Sequence, residues 1–182
     1  MRFYQAIIAL CAALTAFAAG NVRAEVSEIT IAQQYGVSFL PLMVMQKESL
    51  VEKHTAKLGL AGVTVKWAKV AGPSVMNDGL ISGALHFAAQ GAPSLITLWS
   101  KTNGQIKAMS ALTTYPLYLV TRDPDVKSIK DFSSKDKIAV PSVKISTQAI
   151  MLQMAAAKAF GEKDYAKLDP LTVSLSHPDA TL

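Results

Sequence analysis

Few residues in this sequence are spaced for bond-making chemistry. The three histidines, His54, His86 and His177, are scattered, and none is paired with a Cys or Asp in a triad or metal pattern. Glu48, Glu52, Asp78, Asp131 and Asp136 lack the flanking carboxylate that a glycosidase pair needs. No Walker loop, GxGxxG or GxSxG is present. Met43, Met45, Met151 and Met154 fall at helical positions and read as core filler, not as thioether metal ligands. The expectation is a chain with no catalytic residue, no metal site and no cofactor.

Recognition chemistry is better represented. The stretch KVAGPSVMNDGLISGALHFAAQGAPSL, residues 69–95, holds two nearly matching corners, Ala71-Gly72-Pro73-Ser74 and Gly91-Ala92-Pro93-Ser94. Each follows an apolar, strand-like run and precedes a helix-like one. Small residues let a ligand come close to the main chain, and proline stiffens the turn ahead of the helix. Ser74 and Ser94 can cap those helices or turn a hydroxyl to a ligand. N–H groups at a helix start, with the positive end of the dipole, suit an anion or a carbonyl oxygen.

The elements that must position these corners are legible around them. The chain has 182 residues, of which 51% are hydrophobic, enough for a core. Part of that excess lies at the start: Met1-Arg2 is basic, Ala6 to Ala19 is apolar, and Val22-Arg23-Ala24 offers a cleavage site. That layout predicts a secretory signal over residues 1–24, too short for a membrane span. Cleavage removes Arg2 and Arg23, leaving 16 basic residues against 13 acidic ones, so the formal net charge falls from +5 to +3. The remaining lysines are interleaved with acids and without aromatics, which excludes a nucleic-acid footprint. Cys11, the one cysteine, sits inside the signal behind Leu10, where lipidation needs a small residue. A mature chain without cysteine has no disulfide, thiolate metal site or thiol nucleophile.

Glu28–Ala32 alternates as a first strand, and residues 33–38 form a loop. Helical spacing over 40–57 predicts one helix with Pro41 in its first turn and Gly59 as its stop. Residues 63–70 alternate as a second strand, 75–82 form a helix before Gly83, and 85–89 form a third strand. A helix starts at Ser94, and 106–112 reads as a fourth strand. Residues 113–116 cross over, 117–120 begin a new strand, and Asp123-Pro124-Asp125 turns. Residues 128–132 give one helical turn, 138–140 a short buried strand, 146–160 a helix stopped by Gly161, and 173–175 a further strand. Strands alternating with helices predict parallel α/β sheets. In such sheets ligands bind beyond the carboxyl ends of the strands, so the two matching corners and the loop 33–38 share one edge. Residues 176–182 read as the start of a further loop and helix.

Glu28–Ala32 with loop 33–38, Ala71–Ser74, Leu80-x-x-Gly83-x-Leu85-x-Phe87-Ala88 and Gly91–Ser94 come in a particular order. That order resembles the first lobe of solute-binding proteins of the nitrate/sulfonate/taurine type. These serve ABC importers, and relatives bind the thiamine pyrimidine precursor. Residues 126–132 followed by 137–141 resemble the family's entry into its second lobe. The likeness runs from about Ile29 to the end. His86 departs from it, standing where the family usually has Asp, and Ser134–Lys137 replaces a Gly-Lys-Lys turn. Family members are also longer than this chain.

The resemblance implies an α/β, two-lobed periplasmic-binding-protein-like fold, each lobe a mainly parallel sheet flanked by helices, with the second lobe incomplete. Residues 25–113 would form the ligand-binding first lobe and 114–182 the first part of the second. The implied protein is periplasmic and monomeric. It captures a small anionic organic solute, sulfonate-, taurine- or nitrate-like, and delivers it to an ABC permease at the inner membrane. Ligand contacts would come from Gln34, Tyr35 and Ser38, from Ser74, and from Gln90, Gly91 and Ala92. Thr113 and Thr114 would sit at the hinge, and Ser142, Lys144, Ser146 and Thr147 would face the first-lobe corners. Lys144 is a counter-ion in this reading or else an exposed loop lysine. Tyr35 stacks on a flat ligand or else is an ordinary loop aromatic. The alternative is a non-transport relative on the same fold, either a pyrimidine-precursor binder or enzyme of the thiamine pathway, or a ligand-sensing domain. The enzyme needs a cysteine-rich patch in its cleft, which a cysteine-free mature chain lacks.

Overall fold

The structure is a computed structural model that describes residues 26–180. The expected signal peptide, with Cys11, lies outside those residues. Two parallel sheets organise the rest. In the first, β1 (Glu28–Gln33) is central, flanked by β2 (Thr64–Lys69) and β3 (Phe87–Ala88), in the order β2-β1-β3. Glu28 pairs with Thr64 and Gln33 with Lys69 in register, while Ile31 and Ala32 pair with Phe87 and Ala88. A central parallel strand is covered on both faces. Accordingly Thr30, Ile31, Ala32 and Gln33 are all buried, without alternation. The edge strand β2 keeps its alternation, with Val65 and Trp67 more buried than Thr64 and Lys66.

Helices α1 (Leu40–Lys47) and α2 (Leu50–Lys57) follow β1, α3 (Pro73–Ser82) follows β2, and α4 (Ala92–Lys101) follows β3. The single helix expected over 40–57 is two. The break falls at Ser49, whose φ of 49° is left-handed, and Ser49 N–H closes the first helix on Gln46 O. Hydrophobic spacing continued through the break and concealed it. The first core contains Ile31, Ala32, Leu42, Val63, Met76, Ala89 and Leu98, with Met76 and Leu98 fully buried. Burying a side chain of that size contributes about 1.5–3 kcal/mol.

The second sheet pairs β4 (Ile138–Val140) in parallel with β5 (Thr172–Ser174), joined through α5 (Thr147–Phe160) and two 3-10 turns, Glu162–Asp164 and Asp169–Leu171. A short helix, α6 (His177–Ala180), follows. Ala149, Leu152 and Ala156 lie on one face of α5 and pack with Ile138, Val140 and Leu168. Ser146 caps α5, its Oγ accepting from Ala149 N–H, and Gly161, with φ 107°, ends it.

The strands expected over 106–112 and 117–120 do not form. Residues 107–125 are exposed, among them Met109, Tyr118 and Val120 at 79%, 81% and 83%. A strand exists only through a partner, and among the described residues the first sheet ends at a two-residue β3 with no neighbour beyond it. Pro116 also removes one ladder donor within the run. The third strand, expected over 85–89, contracts to Phe87–Ala88. Hydrogen bonds from His86 N–H to Thr30 O and from Ala89 N–H to Ala32 O flank it. The turn at 123–125 is present, with Asp125 N–H donating to Asp123 Oδ1 at 2.8 Å. No helix among the described residues is long and apolar enough to cross a membrane.

Candidate functional site: a seam between two strand edges

Because β1, β2 and β3 run in one direction, their carboxyl ends lie along a single edge. The loops leaving that edge are 34–36, 70–72 and 89–91. In the second sheet the carboxyl ends of β4 and β5 lead into Pro141–Ser142 and Leu175–His177. These edges meet. Ser74 N–H donates to Ser142 Oγ at 3.3 Å. A Cβ built on Gly72 would lie 2.3 Å from Pro141 O, and one on Gly91 only 1.7 Å from Thr147 Oγ1. Non-bonded carbons and oxygens do not come so close: at Gly72 the obstacle is backbone, which cannot give way, and at Gly91 it is a side-chain hydroxyl, which can rotate.

That contact corrects the reading of the matching corners. Neither serine caps its helix: Gly72 and Gly91 occupy the N-cap positions, and no side chain caps either end. Ser94 does not turn outward. It is 1% exposed, with Oγ 2.8 Å from both Asn77 Oδ1 and Gln90 Oε1. Its single proton serves one of them at a time. What approaches the glycines closely is the chain of the second sheet.

The remaining expected residues fall as follows. Gln34 is buried, its amide donating to Met76 Sδ at 3.8 Å. Tyr35 is partly exposed, with Lys69 Nζ 5.7 Å from its ring centroid, a cation–π contact joining loop 33–38 to the end of β2. Ser38 is half-buried in a 3-10 turn, Val37–Phe39, entered through Gly36 at φ 112°. Gln90 and Gly91 are half-buried and Ala92 is exposed. Thr113 and Thr114 are exposed in the irregular segment before β4. Ser142 is buried and accepts from Ser74, and Thr147 packs on Gly91. Ser146 is engaged within its own loop, donating to Ser142 O at 2.7 Å and accepting from Ala149 N–H. Lys144 is exposed and left-handed at φ 63°, a conformation that costs a non-glycine residue about 1–3 kcal/mol.

Several residues at the seam escape a reading by motif. Asn77 is buried beneath Ser94. Gln148, in the first turn of α5, meets His177 with their Nε2 atoms 3.3 Å apart. His177 Nδ1 is buried and finds no hydrogen-bond partner among the described residues. Burial holds the His177 pKa below the usual histidine value. His86 is placed differently, its Nδ1 accepting from Thr30 N–H at 3.0 Å as part of the first sheet. The buried polar residues among those described, Thr30, Gln33, Gln34, Asn77, Ser94, Ser142, Ser146 and Ser176, are all neutral. At the seam the polar groups are the amides and hydroxyls of Asn77, Gln90, Ser94, Ser142 and Ser146, with Lys69 and Lys144 as exposed cations and the Asp179 carboxylate held by Ser176. Among the described residues no cluster of His, Cys, Asp or Glu could hold a metal ion. An open groove beside α4, lined by Leu95, Ile96, Trp99, Lys107 and Ala108, lacks the convergent polar groups of a ligand site. Against known protein families, curated proteins and solved structures, the chain finds no match.

Proposed function

We propose that this chain is the ligand-binding part of a periplasmic solute receptor. It would close two lobes over a small anionic organic solute, sulfonate-, taurine- or nitrate-like, and pass it to an ABC permease at the inner membrane. One observation carries the reading: the carboxyl edges of two separate parallel sheets face each other, and helices α3, α4 and α5 all start at that meeting line. Strand carboxyl ends and helix starts are where α/β folds bind ligands. Uncharged amides and hydroxyls can surround a polar solute, and the exposed Lys69 and Lys144 supply attraction without a buried cation. No bond is made or broken in this role.

The test is a thermal-shift screen of the full chain against ethanesulfonate, taurine, nitrate, succinate and a hydroxymethylpyrimidine. A true ligand at a hundredfold excess over Kd raises the unfolding free energy by about 2.7 kcal/mol. A panel in which no compound moves the melting midpoint overturns the reading. A midpoint moved by the pyrimidine alone favours the thiamine-precursor binder.

A further inference from the structure

His177 stands where β5 leaves the second sheet, on the same edge as Ser142, and its ring reaches Gln148 in the first turn of α5. The neighbouring Thr147 is the residue that packs on Gly91 of the first sheet. A neutral imidazole has one donor and one acceptor nitrogen. With Gln148 Nε2 donating, His177 Nε2 accepts and the ring proton sits on Nδ1. That Nδ1 is buried and has no hydrogen-bond partner among the described residues. Leaving a buried donor unpaired is unfavourable, so a group that accepts from it gains a hydrogen bond against no competitor. His86 shows the contrast, since its Nδ1 is already committed to Thr30.

We propose that His177 is a solute-binding residue of the seam. Gln148 holds its ring through Nε2, and Nδ1–H donates to an acceptor oxygen of the solute, a sulfonate, carboxylate or nitrate oxygen. The assignment rests on the receptor reading above.

Calorimetric titration of the full chain with ethanesulfonate, taurine, nitrate and succinate tests the assignment on wild type, His177→Ala and Gln148→Leu. The expected result is at least tenfold weaker binding for H177A and a smaller loss for Q148L, which lets the ring turn. Wild type that binds a probe while H177A binds it within twofold overturns the histidine assignment and leaves the receptor reading intact. Wild type that binds no probe overturns both. Nitrogen-15 spectra of the histidine rings in wild type provide a second measurement that does not depend on H177A folding. His177 should be the Nδ1–H tautomer and His86 the Nε2–H tautomer. Saturating probe should move only the Nδ1 resonance of His177, and an unmoved resonance rejects the contact.

Discussion

The two walls of the seam are built from different materials. On the first sheet the wall is main chain: Gly36 turns one corner with a positive φ, and Gly72 and Gly91 admit their neighbours by having no side chain. On the second sheet it is mostly side chain, with Pro141 O the backbone exception at Gly72: Ser142 accepts from Ser74, Ser146 caps α5, and Ser176 donates to Asp179. A wall of backbone tolerates no added atom, whereas a wall of side chains can rotate, titrate or be trimmed. The two sides of one site should therefore fail in different ways when altered.

Gly72→Ala should have the largest effect, because its Cβ would meet Pro141 O, a backbone atom that cannot rotate away. Gly91→Ala would meet Thr147 Oγ1, the end of a side chain that can. Overpacking of this kind costs about 1–3 kcal/mol, with G72A near the top of that range and G91A near the bottom. Thr147→Ala should recover most of the G91A loss and none of the G72A loss, which chemical denaturation of the two double mutants reads directly. A G72A protein as stable as wild type would mean that the sheets do not meet at Gly72.

This contrast also governs what was legible in the sequence. The strands around β1, the glycine corners, the helix beginning near Ser146 and the Gly161 stop are local patterns, and the structure contains them. Residues 106–112 and 117–120 carry strand-like patterns too, but no sheet offers them a partner. Pattern is a property of the segment, and pairing is not. The role of Gly72 is likewise readable only once Pro141 lies against it. Gln148 and His177 belong to different elements, and nothing in either neighbourhood announces the pair. Three Ser-x-x-Asp sequences, at 128–131, 133–136 and 176–179, were within reach of local reading, since each is a capping-box pattern.

Acid should separate the walls next. The His177 pKa lies below its usual value because burial disfavours the charged ring. The unfolded chain then takes up the proton first, from about pH 6.5 downward. The contribution of His177 to stability is constant above that pH and is lost as pH falls toward the folded value. Gln148 contacts the ring, and the nearest carboxylate in sequence, Asp179, accepts from Ser176. Wild type should melt at a lower temperature at pH 5.5 than at pH 7.5, and His177→Gln should reduce that difference. A midpoint that rises on acidification contradicts the buried, uncharged ring.

The smallest effect belongs to the approach to β4, where side chains again set the turn. Ser128 N–H and Oγ both donate to Asp131 Oδ2, at 2.6 and 3.0 Å, and Ser133 repeats this with Asp136 at 2.7 and 2.9 Å. The backbone N–H of Ser128 and that of Ser133, respectively, are the main reason each carboxyl stays below the usual carboxylate range. A depressed folded pKa contributes order above the unfolded value, about 3.9, and loses it as pH falls through the folded one. The Ser128 and Ser133 amide resonances should therefore titrate with midpoints below about 3.9. Asp131→Asn and Asp136→Asn should each remove one titration, and both carboxylates are exposed, so the global melt should barely respond. Titration at or above the ordinary value would dissolve the twin turns. The first wall supplies the internal control. Loops 34–38, 70–74 and 89–94 contain no carboxylate. Their amides should hold still over the same range if the glycine wall is set by sterics alone.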